Sequence, residues 1–426
     1  MTLTRMLFLA GCLVTLLLGG CGKSSNDNAN VRVLNLIQGA PSVTVTANGT
    51  TVLANGSFES ITPFTSVGVG TVEFKVTVPG STGTLVDTVF SLGTSEYTYV
   101  TTGTPGAAAA VLVADPYGSP SGNNFAVRVL NMSATNALID LYLTAPGADL
   151  ASATPVVSGA AYGIVSSFVT TPAGGLQVRL TTSGTKDVLY DATPPAIAAG
   201  TGQTIVAYGR QSNKLVNVAM MASQTTGAIA NSTLAQLKVV NGTSVPAPLN
   251  VLVDGAPAVS ALAFAGVAPY QLVAAGTRTV AVESSASPGA ALLTLTPNLV
   301  AATDNSIALY GSAGAMSALT LADANPPIAV GRASLRVVNV SPDLSSVDVY
   351  ANFGKIVSTL GANAASAYTL VDAVSAGTPY RFDVNAAGTT TTLASVAGVT
   401  LVSAHGYTLY LLGTGATLQG VLTQDR

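Results

Sequence analysis

The sequence lacks most of the residues on which catalytic and metal sites depend. It contains no tryptophan, one histidine (His405) and two cysteines, both within the first 21 residues. If Cys21 is modified, no free thiol remains for a disulfide, a cysteine–metal site or a thiol nucleophile. A single histidine excludes a multi-histidine zinc site, and a Ser-His-Asp triad would depend on His405 alone. We therefore expect no metal and no cofactor.

Charge is also scarce, since charged residues make up 8% of the chain and the formal net charge is −3. The 16 basic residues are dispersed, whereas a nucleic-acid-binding surface needs a concentrated basic patch. The sequence therefore predicts no nucleic-acid partner. Its 6% aromatic content also argues against a carbohydrate module built on stacked aromatic platforms.

The N-terminal residues are typical of a bacterial export signal. Arg5 precedes an apolar run, Met6 to Leu18, which is shorter than the roughly 20 residues that span a bilayer. The following LGGC resembles the lipobox of bacterial lipoproteins, and the resemblance implies cleavage before Cys21 and acylation of that cysteine. The alternatives are LAGC ending at Cys12, which has too short an apolar segment before it, and a plain secretory signal.

Acylation of Cys21 would anchor the chain to a membrane, since each buried CH₂ contributes about 0.8 kcal/mol. Residues 1–20 are thus predicted to be a signal peptide and residues 21–30 a lipidated tether. Gly22, rather than Asp, follows the cysteine, which in Gram-negative lipoproteins implies sorting to the outer membrane. We expect a cell-envelope location, on the periplasmic or surface face, with palmitate-type acyl chains as the membrane contact.

One motif occurs four times after the leader. VRVLN, VRVLN, LKVVN and LRVVN each end in an asparagine, and apolar residues follow eight and ten positions later. The interval between copies is roughly 100 residues, which is typical of whole domains in tandem rather than of a solenoid. The repeated asparagines are Asn35, Asn131, Asn241 and Asn339.

Within each copy, apolar and polar residues alternate, as in SVDVYA from Ser346, which is the period of a strand with one buried face. About seven such strands separated by turn residues predict an immunoglobulin-like β-sandwich. The fold class is therefore all-β, and each copy is expected to fold on its own. The four predicted sandwiches are residues 31–115, 125–223, 234–323 and 333–426.

The run from RVLN through GAPSVTVTANGTTV, with FAGVAPYQLVAAGT at Phe264 to Thr277, resembles the bacterial domain-of-unknown-function family 4397. The resemblance covers nearly all of the chain after the leader, in four copies. The second copy departs most, because TAPGADLASATP replaces its Asn-Gly turn. The family implies secreted or envelope proteins with β-rich repeats, and it implies no reaction.

The repeated asparagines have two interpretations. The amide could face a ligand, or it could cap the turn that follows the strand. We favour the structural role because it recurs in four otherwise diverging copies.

A cation lies three residues before each of these asparagines. The four could form a ladder for an anionic polymer, or each could be an outward strand residue that protects the sheet from edge pairing. We favour the second, because the chain is net acidic. Asp115, Asp323 and Asp425 each close a copy, although calcium there would need more clustered carboxylates. The cations are Arg32, Arg128, Lys238 and Arg336.

The sequence contains no GxSxG, HExxH or Walker-type motif, and His405 falls in a predicted polar turn. These observations favour a lipid-anchored envelope protein with a structural, adhesive or interaction role and no catalytic activity. Its partners would be the membrane, through Cys21, and an envelope protein or glycan. The alternative is a small-ligand or glycan-binding receptor, or a hydrolase with its site on the loops of one copy.

Overall fold

A computed structural model of the chain describes residues 27–374 and 379–426. The predicted signal peptide and Cys21 lie outside these ranges. The described chain consists of β-strands and one short 3₁₀ helix, Gly415–Thr417, so the predicted all-β fold is confirmed. No helix in the two ranges is long and apolar enough to cross a membrane.

Domain 1 is a two-layer sandwich of eight strands. They are β1 (Asn28–Ile37), β2 (Val43–Ala47), β3 (Thr50–Gly56), β4 (Thr65–Gly68), β5 (Gly70–Thr77), β6 (Thr84–Leu92), β7 (Glu96–Gly103) and β8 (Ala109–Ala114). One sheet, named sheet A, has the order β4-β1-β7-β8, and sheet B has the order β3-β2-β5-β6. β1 pairs in parallel with β7, whereas the other neighbours in domain 1 are antiparallel.

The other three domains repeat this plan. Domain 2 comprises β9 (Asn124–Met132), β10 (Leu138–Thr144), β11 (Val157–Ala161), β12 (Val169–Pro172), β13 (Gln177–Thr182), β14 (Val188–Ala192), β15 (Gly202–Gly209), β16 (Val216–Ala222) and β17 (Ala228–Ala230). Domain 3 comprises β18 (Leu234–Thr243), β19 (Leu249–Val253), β20 (Ala256–Leu262), β21 (Gln271–Ala274), β22 (Gly276–Thr277), β23 (Val280–Ser284), β24 (Ala291–Leu295), β25 (Asn298–Leu299), β26 (Asp304–Ser312) and β27 (Ala315–Asp323). Domain 4 comprises β28 (Arg332–Asn339), β29 (Ser346–Ala351), β30 (Gly354–Gly361), β31 (Ala364–Ala365), β32 (Thr369–Asp372), β33 (Tyr380–Ala386), β34 (Thr392–Val399), β35 (Gly406–Leu412) and β36 (Gln419–Gln424).

The parallel pairing recurs in every domain, between β9 and β15, β18 and β26, and β28 and β35. Tandem β-sandwiches are thus confirmed, and in each of them a strand near the end of the domain returns to pair in parallel with the first strand. In every domain the sheet that contains the first strand is likewise named sheet A and the opposite sheet is named sheet B. An apolar cluster fills the space between the two sheets of each domain. The alternation seen in the sequence places these side chains, as in β19, where Leu249, Val251 and Val253 are buried.

The first strand of each domain is buried on both faces. In β1, Val31 and Val33 point into the core of domain 1, whereas Leu34 and Leu36 join a second apolar cluster with Leu130 and other residues of domain 2. Domains 3 and 4 meet through an equivalent cluster. Its buried members are Val240, Ala308, Val338, Val340, Tyr410 and Leu412. Sheet A therefore packs on sheet A of the neighbouring domain, and the domains form two pairs, 1–2 and 3–4.

The hairpin turn between β29 and β30 contains a strained phenylalanine. Asn352 and Phe353 have φ angles of +44° and +73°, and Phe353 is 90% exposed. In domains 1 and 3 the residues at the second position of the matching turn are Gly49 and Gly255, with φ of +80° and +81°. Glycine adopts this left-handed backbone without the steric cost that a side chain brings.

We expect Phe353→Gly to raise the free energy of unfolding of domain 4 by about 1 kcal/mol, because it relieves this strain at a site with little packing. Urea denaturation would measure the change. The reciprocal variant Gly49→Phe should destabilise domain 1 by a similar amount. A Phe353→Gly protein no more stable than wild type would contradict the prediction.

Candidate functional site

The four repeated cations lie inside the molecule. Arg32, Arg128, Lys238 and Arg336 are 0%, 7%, 2% and 2% exposed. The expectation that they face solvent and protect sheet edges is wrong, because the outer face of sheet A is covered by the neighbouring domain. Buried cations are also unable to form a surface ladder for an anionic polymer.

Each cation lies beside a threonine or serine on the neighbouring parallel strand. Arg32 Nε donates to Thr98 Oγ1 over 2.8 Å, because the ladder between β1 and β7 sets these two residues in register. The same register recurs at Arg128–Thr204, Lys238–Ser306 and Arg336–Thr408.

In three domains this hydroxyl also donates to the aspartate that closes the domain. The pairs are each 17 residues apart: Thr98–Asp115, Ser306–Asp323 and Thr408–Asp425. Sequence reasoning placed the aspartates at the joints but missed that they neutralise the cations. The repeated 17-residue spacing from hydroxyl to carboxylate is the signal that would have revealed it.

Between domains 1 and 2, one carboxylate serves two arginines. Asp115 Oδ2 lies 3.0 Å from Arg32 Nη2, and Oδ1 lies 3.7 Å from Arg128 Nη2. Arg32 Nη1 donates to the carbonyls of Ala222 and Thr225 in domain 2. Burial raises the pKa of Asp115 despite the two guanidinium groups, and it lowers the pKa of Arg32. The contact thus joins the domains at a high desolvation cost.

Between domains 3 and 4, two carboxylates balance two cations. Arg336 Nη2 donates to Asp323 Oδ1 over 2.6 Å, while Lys238 Nζ donates to Asp425 and lies 4.0 Å from Asp323 Oδ2. Burial opposes the positive charge of Arg336, but Asp323 and nearby tyrosines outweigh burial and raise its pKa. The pKa of Lys238 is raised in the same way, against its own burial. Both cations are therefore charged in the folded protein.

An aromatic ring covers each cation. The guanidinium carbon of Arg32 lies 4.7 Å from the ring centroid of Phe64. The arrangement recurs for Arg128 over Phe168, Lys238 over Tyr270 and Arg336 over Tyr368, at 4.2, 4.7 and 4.8 Å. A cation that has lost its water gains most from such a ring, so the repeated aromatic position belongs to the domain joint.

The repeated asparagines link sheet A to sheet B within each domain. Asn35 is 1% exposed; its Nδ2 donates to the carbonyls of Gly56 and Ser57, and its Oδ1 accepts from the N–H of Ile37. The other three are fully buried. Their Nδ2 groups donate to backbone carbonyls near the end of the strand that corresponds to β3 in each domain. The pairs are Asn131–Ala160, Asn241–Leu262 and Asn339–Gly361. These amides face the protein's own backbone.

The remaining candidate residues are not brought together. His405 is half-buried in the turn before β35, with Nδ1 2.7 Å from the carbonyl oxygen of Ser403. Cys21 lies outside the described residues. Across residues 27–374 and 379–426, no three or more His, Cys, Asp or Glu side chains are grouped so that they could hold a metal ion.

A buried carboxylate joins the two domain pairs. Asp304, at the start of β26, accepts hydrogen bonds from Ser212 Oγ over 2.6 Å and from the N–H of Asn213 over 2.7 Å. Both donors lie in the turn between β15 and β16 of domain 2. Asn325 Nδ2, from the linker between domains 3 and 4, donates to the same carboxylate over 2.8 Å. Burial raises the pKa of Asp304 to about 6.

This pKa predicts a pH dependence of stability. The pKa of Asp304 in the folded protein lies above the ordinary Asp value of 3.8, so the ionised carboxylate lowers the free energy of unfolding. This penalty is complete above about pH 6, and it is lost as the pH falls from about 6 to about 4. From roughly 1.4 kcal/mol per pKa unit, the penalty should grow by about 2 kcal/mol between about pH 4.5 and 7.5. We expect Asp304→Asn to lack this part of the pH dependence. Urea denaturation at both pH values would test it, and equal changes in both proteins would contradict it.

A cavity of about 720 Å³ lies where domains 1, 2 and 4 meet the linker between domains 3 and 4. Two of its large wall residues, Tyr162 and Leu370, are 44% and 57% exposed. The volume is within the range of small-molecule sites, which commonly form at domain interfaces. Its larger apolar wall residues include Leu36, Met132, Tyr162, Tyr208, Ile328 and Leu370.

The sequence profile described as "Domain of unknown function (DUF4397)" matches residues 29–142, 235–350 and 333–426. The chain belongs to this family. Most of domain 2 falls outside the matched ranges, although its sheets have the strand order of the other domains. The matched ranges thus cover the sandwiches of domains 1, 3 and 4, and the repeated Asn and the buried cation occur in all four domains.

Three solved structures are similar to parts of this chain, each with a TM-score of 0.16. A family 26 carbohydrate-binding module of Amy13K from Eubacterium rectale, solved with maltoheptaose, is 8% identical and covers 43% of this chain and 92% of its own. The TIE protein of Bacillus anthracis is 9% identical, and the match covers 88% of this chain and 69% of that protein's chain. The pneumococcal SpuA, described as a multi-modular glycogen-degrading virulence factor, is 11% identical. The match covers 87% of this chain and 38% of the SpuA chain. Likenesses this weak transfer no function to the DUF4397 chain, and no curated protein matches it.

Proposed function

We propose that this chain is a non-catalytic lipoprotein of the bacterial envelope, anchored through acylated Cys21 at the outer membrane. Its four sandwich domains would act as a structural, adhesive or interaction body. The anchor is supported by three features of the N-terminus: Arg5, the apolar run from Met6 to Leu18, and the LGGC that ends at Cys21. Several acyl chains together would hold the protein on the membrane durably.

The observation that carries the non-catalytic role is the burial of all four repeated cations between paired domains. These repeated cations could bind an anionic substrate only if they reached solvent, and each is instead engaged in a domain joint. The carboxylates with raised pKa values, Asp115, Asp304 and Asp425, are almost fully buried in joints, whereas catalytic groups need an accessible cleft. Paired domains with fixed contacts are suited to presenting a rigid surface to a partner.

The anchor is tested by replacing each leader cysteine separately. Wild-type protein should fractionate with membranes and carry added acyl mass by intact-mass measurement. Cys21→Ser should lose the acyl mass, and the matched variant Cys12→Ser should keep it. Membrane-bound, acylated Cys21→Ser protein, or wild-type protein without acyl mass, would refute the anchor.

A small-ligand receptor is the second candidate function. It is favoured by one observation, the cavity between the two domain pairs. The walls come from described domains rather than from the N-terminal tether, so this function is independent of the anchor.

A further inference from the structure

Among the described residues that line the cavity, Arg426 alone has a charged side chain. It is half-buried, and its Nη1 donates to the carbonyl oxygen of Asn325 over 2.7 Å. Asn325 belongs to the linker segment that lines the cavity, so this bond holds the guanidinium group at the cavity wall. The cavity therefore has one cation beside a largely apolar surface.

The positive charge of Arg426 has no ion-pair partner in the described part of the chain. The neighbouring carboxylate, Asp425, pairs with Lys238, and Asp304 already accepts three hydrogen bonds at the joint between the domain pairs. Burial lowers the pKa of Arg426, and Asp304 opposes this effect only in part. The cation has thus lost some of its hydration without gaining a paired anion, which is unfavourable.

Two donor atoms of Arg426 remain free. Nε and Nη2 donate to no described residue, and neither atom is fully buried. These two nitrogens form one edge of the planar guanidinium group, with their N–H bonds side by side. A carboxylate matches such an edge through two parallel hydrogen bonds, whereas a single hydroxyl oxygen cannot match both donors in good geometry.

The rest of the wall suits an apolar body. Leu36, Met132 and Leu370 line the cavity from domains 1, 2 and 4. The volume of about 720 Å³ is ample for one alkyl chain or a small ring system. A ligand with several charges would leave all but one of them without an opposite charge in the wall.

We propose that the cavity binds an amphipathic monoanion, whose carboxylate pairs with Nε and Nη2 of Arg426 and whose apolar body lies between domains 1, 2 and 4. The proposal rests on the receptor function and deepens it by naming the class of ligand. It is independent of the membrane anchor, so either can fail while the other stands.

Decanoate and decanol are matched probes, because they share an alkyl chain length and differ in the charge of the head group. Isothermal titration calorimetry would use residues 21–426 with Cys21→Ser, which contain all four domains. Decanoate should bind at one saturable site. Decanol should bind at the same site at least about tenfold more weakly, since it lacks the charge-assisted pair with Arg426.

Arg426→Gln tests the head-group contact. It should weaken decanoate binding at least about tenfold, to the affinity of decanol, and leave decanol binding unchanged. Arg381→Gln is the matched control for loss of one positive charge, because Arg381 is 57% exposed and lies outside the cavity. It should change neither affinity.

Arg426 also lines a second pocket, between domains 2, 3 and 4, and two tryptophan variants distinguish the two places. Ala134 lines the cavity and not the second pocket, whereas Gln424 lines the second pocket and not the cavity. Ala134→Trp should therefore weaken the binding of both probes at least about tenfold. Gln424→Trp should leave both affinities unchanged.

Circular dichroism and the thermal midpoint establish that each variant is folded. The ligand class is overturned, and the receptor function stands, if decanol binds as tightly as decanoate or if folded Arg426→Gln protein keeps the wild-type affinity for decanoate. The location is overturned if folded Ala134→Trp protein binds both probes as wild type does. Absence of saturable binding by both probes would overturn the receptor function together with the inference.

Discussion

Asp323→Ala is expected to lower the free energy of unfolding of the domain 3–4 pair by about 3–5 kcal/mol. The carboxylate is 0% exposed, accepts from Arg336 Nη2 over 2.6 Å and lies 4.0 Å from Lys238 Nζ. Tyr270 Oη also donates to it over 2.6 Å. Its removal leaves Arg336 charged, buried and without its carboxylate, which is the costly outcome for a buried ion pair.

Urea denaturation of the purified protein would measure the loss. Asp372→Ala is the matched control, because Asp372 pairs with Arg332 over 2.7 Å but is 80% exposed. Exposed pairs usually contribute less than about 1 kcal/mol. If Asp323→Ala lowered the free energy of unfolding no more than Asp372→Ala does, the buried cluster would not hold domains 3 and 4 together.

Asn35→Ala is expected to lower the free energy of unfolding of domain 1 by about 3 kcal/mol. The amide donates to the carbonyls of Gly56 and Ser57 and accepts from the Ile37 N–H and from Thr101 Oγ1. Alanine leaves these groups without partners between the two sheets, and each buried unpaired group costs about 1–3 kcal/mol.

Asn30, on the same strand, is the control for this substitution. It is exposed, so Asn30→Ala should change the free energy of unfolding by no more than about 0.5 kcal/mol. Thermal and urea denaturation of both variants would test the difference. Equal stability of the two variants would mean that the repeated asparagine does not brace the sandwich.

The sequence was sufficient to predict the all-β fold and its repetition, because both depend on local patterns. Alternation along each strand identifies the face that packs on the domain's own core, as for Val31 and Val33. The turn residues at Asn48 and Asp254 likewise mark hairpins, since they tolerate positive φ.

The pairing of the domains could not be predicted in the same way. Arg32 and Leu34 share the outer face of β1, and a cation on that face is typical of a solvated strand. Its carboxylate, Asp115, is 83 residues away, and the apolar partners of Leu34 belong to another domain. Apolar residues beside each cation, at Leu34, Leu130, Val240 and Val338, were the local sign that this face is buried.

The cavity depends on contacts still more distant in the chain. Gln38, Met132 and Leu370 line it from three different domains, and no sequence pattern relates their positions. The carboxylate of Asp304 and its donor Ser212 are 92 residues apart. Sites built at domain junctions therefore require the tertiary structure.

The pairing of domains is the central claim, and the stability of domain 4 with and without domain 3 tests it most directly. Urea denaturation would compare residues 233–426 with residues 332–426. Alone, domain 4 exposes Tyr410 and Leu412 and leaves Arg336 without Asp323. We expect the two-domain fragment to unfold in one transition and the single domain to be unfolded or at least about 4 kcal/mol less stable. Equal stability of domain 4 in the two fragments would contradict the claim and restore four independent domains.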